Sequence, residues 1–128
     1  VTRDALAERY RSYIDCLNRQ DWAHLGDFVD DAIAYNGIAV GLTGYRQLLE
    51  DNFRDIPDLH FAIAFLISDP PRIASRLKFN CRPRGILFDL PVNGKRVEFA
   101  EHALYDFSAG RIREVWSIID KAAIARQI

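Results

Sequence analysis

The stretch Val97 to Asp120, VEFAEHALYDFSAGRIREVWSIID, constrains the fold more than any other part of the chain. Apolar and polar residues alternate on both sides of Ser108-Ala109-Gly110-Arg111, the pattern of two strands joined by a tight turn. The second strand closes with Trp116 and Asp120, four residues apart and therefore on one face of a regular strand. An Asp at the end of an apolar strand face is costly to bury without a partner or a purpose.

The remaining chain supplies helices first. Leu6, Tyr10, Tyr13, Ile14 and Leu17 recur at helical spacing and predict an amphipathic first helix. Asp21 is a candidate N-cap for a short second helix carrying Trp22, Leu25 and Phe28. Ala32 to Val40 reads as one short strand. A third helix, capped by Thr43, carries Tyr45, Leu48, Leu49 and Phe53, and Pro57 ends it. From Leu59 the period changes to two. Phe61, Ile63, Phe65 and Ile67 form one stripe, and Ile73, Ser75, Leu77, Phe79 and Cys81 another. Pro91-Val92-Asn93-Gly94 is an Asn-Gly turn signal, and Lys121 to Ile128 predicts a C-terminal helix. This order predicts an α+β fold in one domain spanning residues 1–128, without linker or internal repeat.

Composition excludes several classes of function. Lys plus Arg is 17 against 18 for Asp plus Glu, a formal net charge of −1. That balance argues against binding to nucleic acid or to an anionic membrane. No apolar run approaches the roughly 20 residues of a membrane span. Cys16 and Cys81 are too few for a disulfide scaffold and fit no metal-ligand spacing, so buried thiols and a cytoplasmic location are expected. The sequence has no methionine, so it is not expected to begin at the translated start.

The pairing across the last turn decides which side chains share a pocket. Pairing Phe107 with Ile112 puts Phe99, Glu101, Ala103, Tyr105 and Phe107 on one face with Ile112, Glu114, Trp116, Ile118 and Asp120. A longer loop ending in a left-handed Gly110 would instead set His102 opposite Trp116. The first register unites the apolar stripes. It makes Asp120 and Glu101 candidate acid/base residues, because two carboxylates in an apolar cavity push at least one pKa upward. His102 is a further catalytic candidate in the second register. Each has a plainer reading: Asp120 as a helix cap, Glu101 as the partner of Arg76 or Arg82, His102 as a residue of the outer face. Tyr13, Tyr105, Trp116 and Phe99 are candidate walls of the pocket, with Tyr13 also a candidate oxyanion donor. Arg82 could sit at a cavity rim.

The segments LNRQDW, YNGIAVGLTGY, IPDLHF, LPVNGKRVEF and FSAGRIREVWSIID, in this order, resemble the SnoaL-like polyketide cyclases of the nuclear-transport-factor-2-like superfamily. The resemblance covers nearly the whole chain. It implies a cone, a curved antiparallel or mixed sheet packed on about three helices around an internal cavity. It implies intramolecular aldol cyclisation, or related isomerase or lyase chemistry, without metal or organic cofactor, and homodimers through the outer sheet face. It maps Asp120 onto the cyclase acid/base. The chain departs from many relatives at Glu114-Val115-Trp116 and Asn80-Cys81-Arg82, and it has Tyr35-Asn36 near the position of the ketosteroid isomerase base. Asn36 cannot abstract a proton, which leaves it a role in holding a substrate oxygen. The expected ligand is a small apolar or aromatic, even polycyclic, carbonyl compound, with Phe61 and Phe65 among its contacts. The alternatives are a ligand-binding protein without turnover and a dimerising module with a filled cavity. The dimer face is expected to carry Ala100, His102, Leu104, Val115 and Ile119.

Overall fold

The computed structural model of the chain describes residues 1–128. Helix α1 (Arg3–Asn18) buries the predicted stripe of Leu6, Tyr10, Tyr13, Ile14 and Leu17. Thr2 starts it by accepting a hydrogen bond from the Ala5 amide at 3.0 Å. A 3-10 turn (Trp22–Asp27) follows. Asp21 precedes this turn but does not cap it through its side chain; its carboxylate meets His24 Nδ1 at 2.9 Å instead.

The segment read as one strand over 32–40 is a small hairpin, β1 (Val29–Tyr35) and β2 (Ile38–Ala39). Asn36 and Gly37 join the two strands with φ of 48° and 81°. Positive φ at both central residues is the geometry an Asn-Gly pair favours in a hairpin. Helix α2 (Gly41–Asp55) begins earlier than expected, after Val40, so Thr43 lies inside it and caps nothing. It ends before Pro57, as proline demands.

Strands β3 (Ala62–Asp69) and β4 (Arg72–Cys81) form the predicted meander. A short hairpin of β5 (Ile86–Leu87) and β6 (Leu90–Pro91) crosses to the long final pair, β7 (Val97–Ser108) and β8 (Arg111–Ile119). Helix α3 (Lys121–Gln127) closes the chain. The six-stranded sheet runs β2-β1-β8-β7-β4-β3. Only the β1–β8 pairing is parallel, so the α+β architecture is a mixed sheet.

At the turn the expected register holds: Phe107 pairs with Ile112 and Ser108 with Arg111. One step further it changes. Asp106 pairs with Glu114, leaving Arg113 as an extra residue on β8. Such a bulge bends the strand and reverses the facing of every residue beyond it. Val115, Ser117 and Ile119 therefore turn inward, and Trp116 and Ile118 turn outward. Val115 is buried opposite Tyr105, whereas Ile118 is 74% exposed. The expectation that Glu114, Trp116, Ile118 and Asp120 share the inner face is corrected by this single inserted residue. A second irregularity, between Ile63 and Phe65, separates Ile63 from Phe65 and Ile67, which are exposed. Phe65 is thus an outer-face residue and not a ligand contact.

The core lies between α1, α2 and the concave face of the sheet, where Ile73, Leu77, Val97, Ala103 and Ile112 are almost completely buried. Each large side chain removed from water this way is worth about 1.5–3 kcal/mol. The opposite face carries Leu104 and Trp116, paired across β7 and β8, together with Ile118, Phe65 and Ile67. Of the face expected to mediate a dimer, Leu104, His102 and Ala100 are on the outer side, and Val115 and Ile119 are not. No helix is long and apolar enough to cross a membrane.

Candidate active site

A cavity of about 250 Å³ opens between the sheet and the two long helices. Tyr13 and Leu17 reach it from α1, and Tyr45, Leu49 and Asn52 from α2. The sheet contributes Leu77, Phe79, Phe99, Glu101, Tyr105 and Val115. Phe79 and Phe99 stack at 5.1 Å between ring centroids, and Phe61 meets Phe79 edge-on at 5.4 Å. These rings make one continuous aromatic wall.

Glu101 is the only carboxylate among the lining residues. It belongs to the inner face because β7 alternates without interruption from Phe99 to Tyr105. Burial pushes its carboxyl above the ordinary value of 4.5, and a hydrogen bond from the Ser117 hydroxyl opposes that rise. Burial wins because an ionised carboxylate loses more hydration than one hydroxyl restores.

Ser117 is itself held. The Asn36 side chain accepts from the Ser117 amide at 2.8 Å and donates to the Ser117 carbonyl at 3.4 Å. Asn36 can do this because the hairpin turn places it beside β8, where its own amide donates to the Val115 carbonyl at 2.8 Å. The expectation that Asn36 touches substrate is therefore corrected: it is exposed and brackets the backbone of the residue that holds Glu101.

Tyrosine hydroxyls supply the other polarity. Tyr13 and Tyr45 are hydrogen-bonded at 2.6 Å, and Tyr10 donates to Tyr105 at 3.2 Å. The rings of Tyr10 and Tyr105 lie 4.8 Å apart. Burial pushes Tyr10 up to about 12 and raises Tyr13, Tyr45, Tyr105 and Tyr35 as well. At neutral pH all five are intact hydroxyls. A pair of hydroxyls uses one proton in its mutual bond, so the Tyr13–Tyr45 pair keeps one to offer a ligand.

Of the residues expected at the site, Tyr13, Phe99, Glu101 and Tyr105 come together around the cavity. The others do not. Asp120 is the N-cap of α3, accepting from the Ala123 amide at 3.1 Å, and it borders an outer groove instead. His102 faces outward, where its Nε2 lies 2.6 Å from the Arg76 guanidinium. Trp116 is on the outer face for the reason given by the bulge. Arg82 is exposed, and its amide is tied to Asp58 at 2.9 Å. Neither Arg82 nor Arg76 pairs with Glu101.

Tyr45, Tyr35 and Ser117 were not anticipated. Tyr45 was visible only as part of an apolar helical stripe. Ser117 was hidden by the register, and the Asn36-Gly37 turn signal was the one local clue to the clamp that holds it.

Helices laid on a mixed sheet over a cavity with one part-buried acid define a small α+β cavity protein. The chain belongs to the SnoaL-like polyketide cyclase family, whose model matches residues 7–128. It is 52% identical to a SnoaL-like polyketide cyclase from Agrobacterium tumefaciens, with a TM-score of 0.94 over 95% of this chain and 96% of that one. TsrD from Streptomyces laurentii shares the fold at 19% identity, with a TM-score of 0.85 over 99% and 96% of the two chains. IdmH from Streptomyces antibioticus does so at 15% identity, with a TM-score of 0.82 over 95% and 96%. No curated protein matches the chain.

Proposed function

We propose that this protein catalyses proton transfer next to a carbonyl group, with Glu101 as the acid/base, in a cyclisation of the aldol type. The observation that carries this reading is Glu101 itself: a single carboxylate in an aromatic cavity, raised by burial and held by Ser117. A carboxyl raised by burial is a stronger base than an exposed one once ionised. The ionised Glu101 takes a proton from the carbon beside a ketone. Negative charge moves to the ketone oxygen, which accepts a hydrogen bond from the free hydroxyl of the Tyr13–Tyr45 pair while that hydroxyl keeps its proton. The enolate carbon then attacks a second carbonyl in the same molecule and forms a carbon–carbon bond. The new alkoxide recovers the proton from Glu101, and the carboxylate is restored. Family membership supports the cyclase class; Glu101 in place of Asp120 is the reading that the cavity geometry supports.

The test needs no knowledge of the natural substrate. An enolisable ketone in deuterated buffer exchanges the hydrogens beside its carbonyl, and NMR follows the exchange. Glu101→Gln should slow enzyme-dependent exchange by roughly 10²-fold or more, while Asp120→Asn should leave it unchanged. Exchange that survives Glu101→Gln would exclude Glu101 as the base. Tight binding with no exchange in the unaltered protein would make it a binding protein.

A further inference from the structure

The cavity is small for a protein whose family is named after polyketides. An apolar cavity of about 150 Å³ accepts benzene, and pockets for drug-sized ligands run from about 300 to 1,000 Å³. At about 250 Å³ this one falls between. Scaled by volume from benzene, it holds about ten non-hydrogen atoms, the ring atoms of two fused six-membered rings.

The walls resist enlargement. Tyr13 and Tyr45 are almost fully buried, and their hydroxyls are bonded at 2.6 Å, so either can withdraw only by breaking that bond. Phe99 and Tyr105 stand on β7, one of the two middle strands of the sheet. Phe88, partly exposed, borders the cavity from the two-residue turn of the β5–β6 hairpin. Phe88 and Asp89 have φ of 50° and 64°, a region that disfavours bulky side chains. The hairpin pairing holds that conformation, and the Phe88 ring packs edge-on against Phe99 at 6.4 Å.

Charge sets a second limit. None of the 18 lining residues is Lys, Arg or His. The Lys121 ammonium lies over the Phe88 ring at 5.6 Å but is not among the lining residues. Inside the cavity a carboxylate or phosphate on the ligand would lose its hydration without gaining a cationic partner there, and it would approach Glu101.

Resting on the Glu101 reading, we infer that the substrate is an uncharged ketone of one or two fused rings, and that Phe88 sets the upper limit of size. Three- and four-ring polyketide frameworks do not fit inside.

The probes are β-tetralone, a β-tetralone bearing a ring carboxylate, the corresponding ring carboxamide, and a four-ring steroid ketone. Binding is measured by calorimetry and hydrogen exchange by NMR. β-Tetralone should bind and exchange. The carboxylated analogue should bind at least about tenfold more weakly, the equivalent of 1.4 kcal/mol, than the corresponding ring carboxamide, a neutral group of the same size. The steroid ketone should neither bind nor exchange. Phe88→Ala should admit larger rings, and Phe88 is partly exposed, so the fold should tolerate the change. If Phe88→Ala misfolds, the four ligands with the unaltered protein still decide the question. A steroid ketone that binds as tightly as β-tetralone, a carboxylate that binds as well as the carboxamide, or no binding of β-tetralone would each overturn the inference. Exchange of β-tetralone that persists in Glu101→Gln would instead remove the base and leave the size limit standing.

Discussion

The Tyr13–Tyr45 bond makes a quantitative prediction, because both rings are nearly inaccessible, at 1% and 5% exposure. Tyr13→Phe removes one hydroxyl and strands the other. Leaving a buried hydroxyl unpaired costs about 1–3 kcal/mol. Both side chains line the cavity, where a water can partly replace the lost partner, so the lower half of the range applies, about 1–2 kcal/mol. Tyr45→Phe should cost a similar amount for the same reason. The double substitution strands nothing. It should cost about 1–2 kcal/mol less than the sum of the single changes. The assay is a double-mutant cycle by urea denaturation, followed by far-ultraviolet circular dichroism. The same cycle on Tyr10 and Tyr105 should show weaker coupling, because their hydroxyls lie 3.2 Å apart against 2.6 Å. Additivity at Tyr13 and Tyr45 within about 0.3 kcal/mol would show that the hydroxyls are not paired, and the argument for an oriented donor would fall with it.

Glu101 should leave a mark on stability as well as on activity. Its folded pKa is raised, so between the ordinary value of 4.5 and that raised value the folded state holds a proton the unfolded state has released. Stability therefore falls as pH rises through that window. Glu101→Gln should abolish this contribution: its stability relative to the unaltered protein should increase with pH, and a flat or opposite difference would contradict the burial of the carboxyl. Asp120→Asn should change stability by only a few tenths of a kcal/mol, since Asn and Asp cap helices about equally; thermal melts would reveal a larger role. On the outer face, Leu104 and Trp116 with Ile118, Phe65 and Ile67 form an apolar surface suited to a second copy of the chain. Sedimentation equilibrium is expected to show a dimer that Leu104→Glu converts to a monomer, with hydrogen exchange at the cavity retained.

Much of the fold was legible because period carries it. The stripe of α1 and the alternation of β4 and β7 follow directly from which side chains repeat at helical or strand spacing. Glu101 was legible for the same reason, as the face-mate of Phe99 and Tyr105. The errors fall where a residue is inserted. Alternation tells which residues share a face only until a bulge, and neither Ala64 nor Arg113 has a composition that marks one. Past Arg113 the inference inverted: Trp116 replaced Val115 in the expected cavity, and Asp120 was set beside Glu101. The Tyr13–Tyr45 contact spans 32 positions, and no local pattern states which hydroxyls on two helices will meet.

These irregularities are not scattered at random. Strands β4 and β7 pair over ten consecutive positions without a shift, whereas β3, β8 and β1 on either side each carry one. A bulge adds local bend and twist, so placing bulges on the flanking strands curls the sheet around a regular centre. The helices must then pack into a concave face, and the space they fail to fill is the cavity. A functional carboxylate on β7 gains two things from that arrangement. Its direction is fixed by the longest uninterrupted ladder in the protein. Its surroundings are closed by the strands that bend, including the Arg113 bulge that brings the Ser117 hydroxyl to Glu101. The same inserted residue that hid the site from the sequence therefore assembles it.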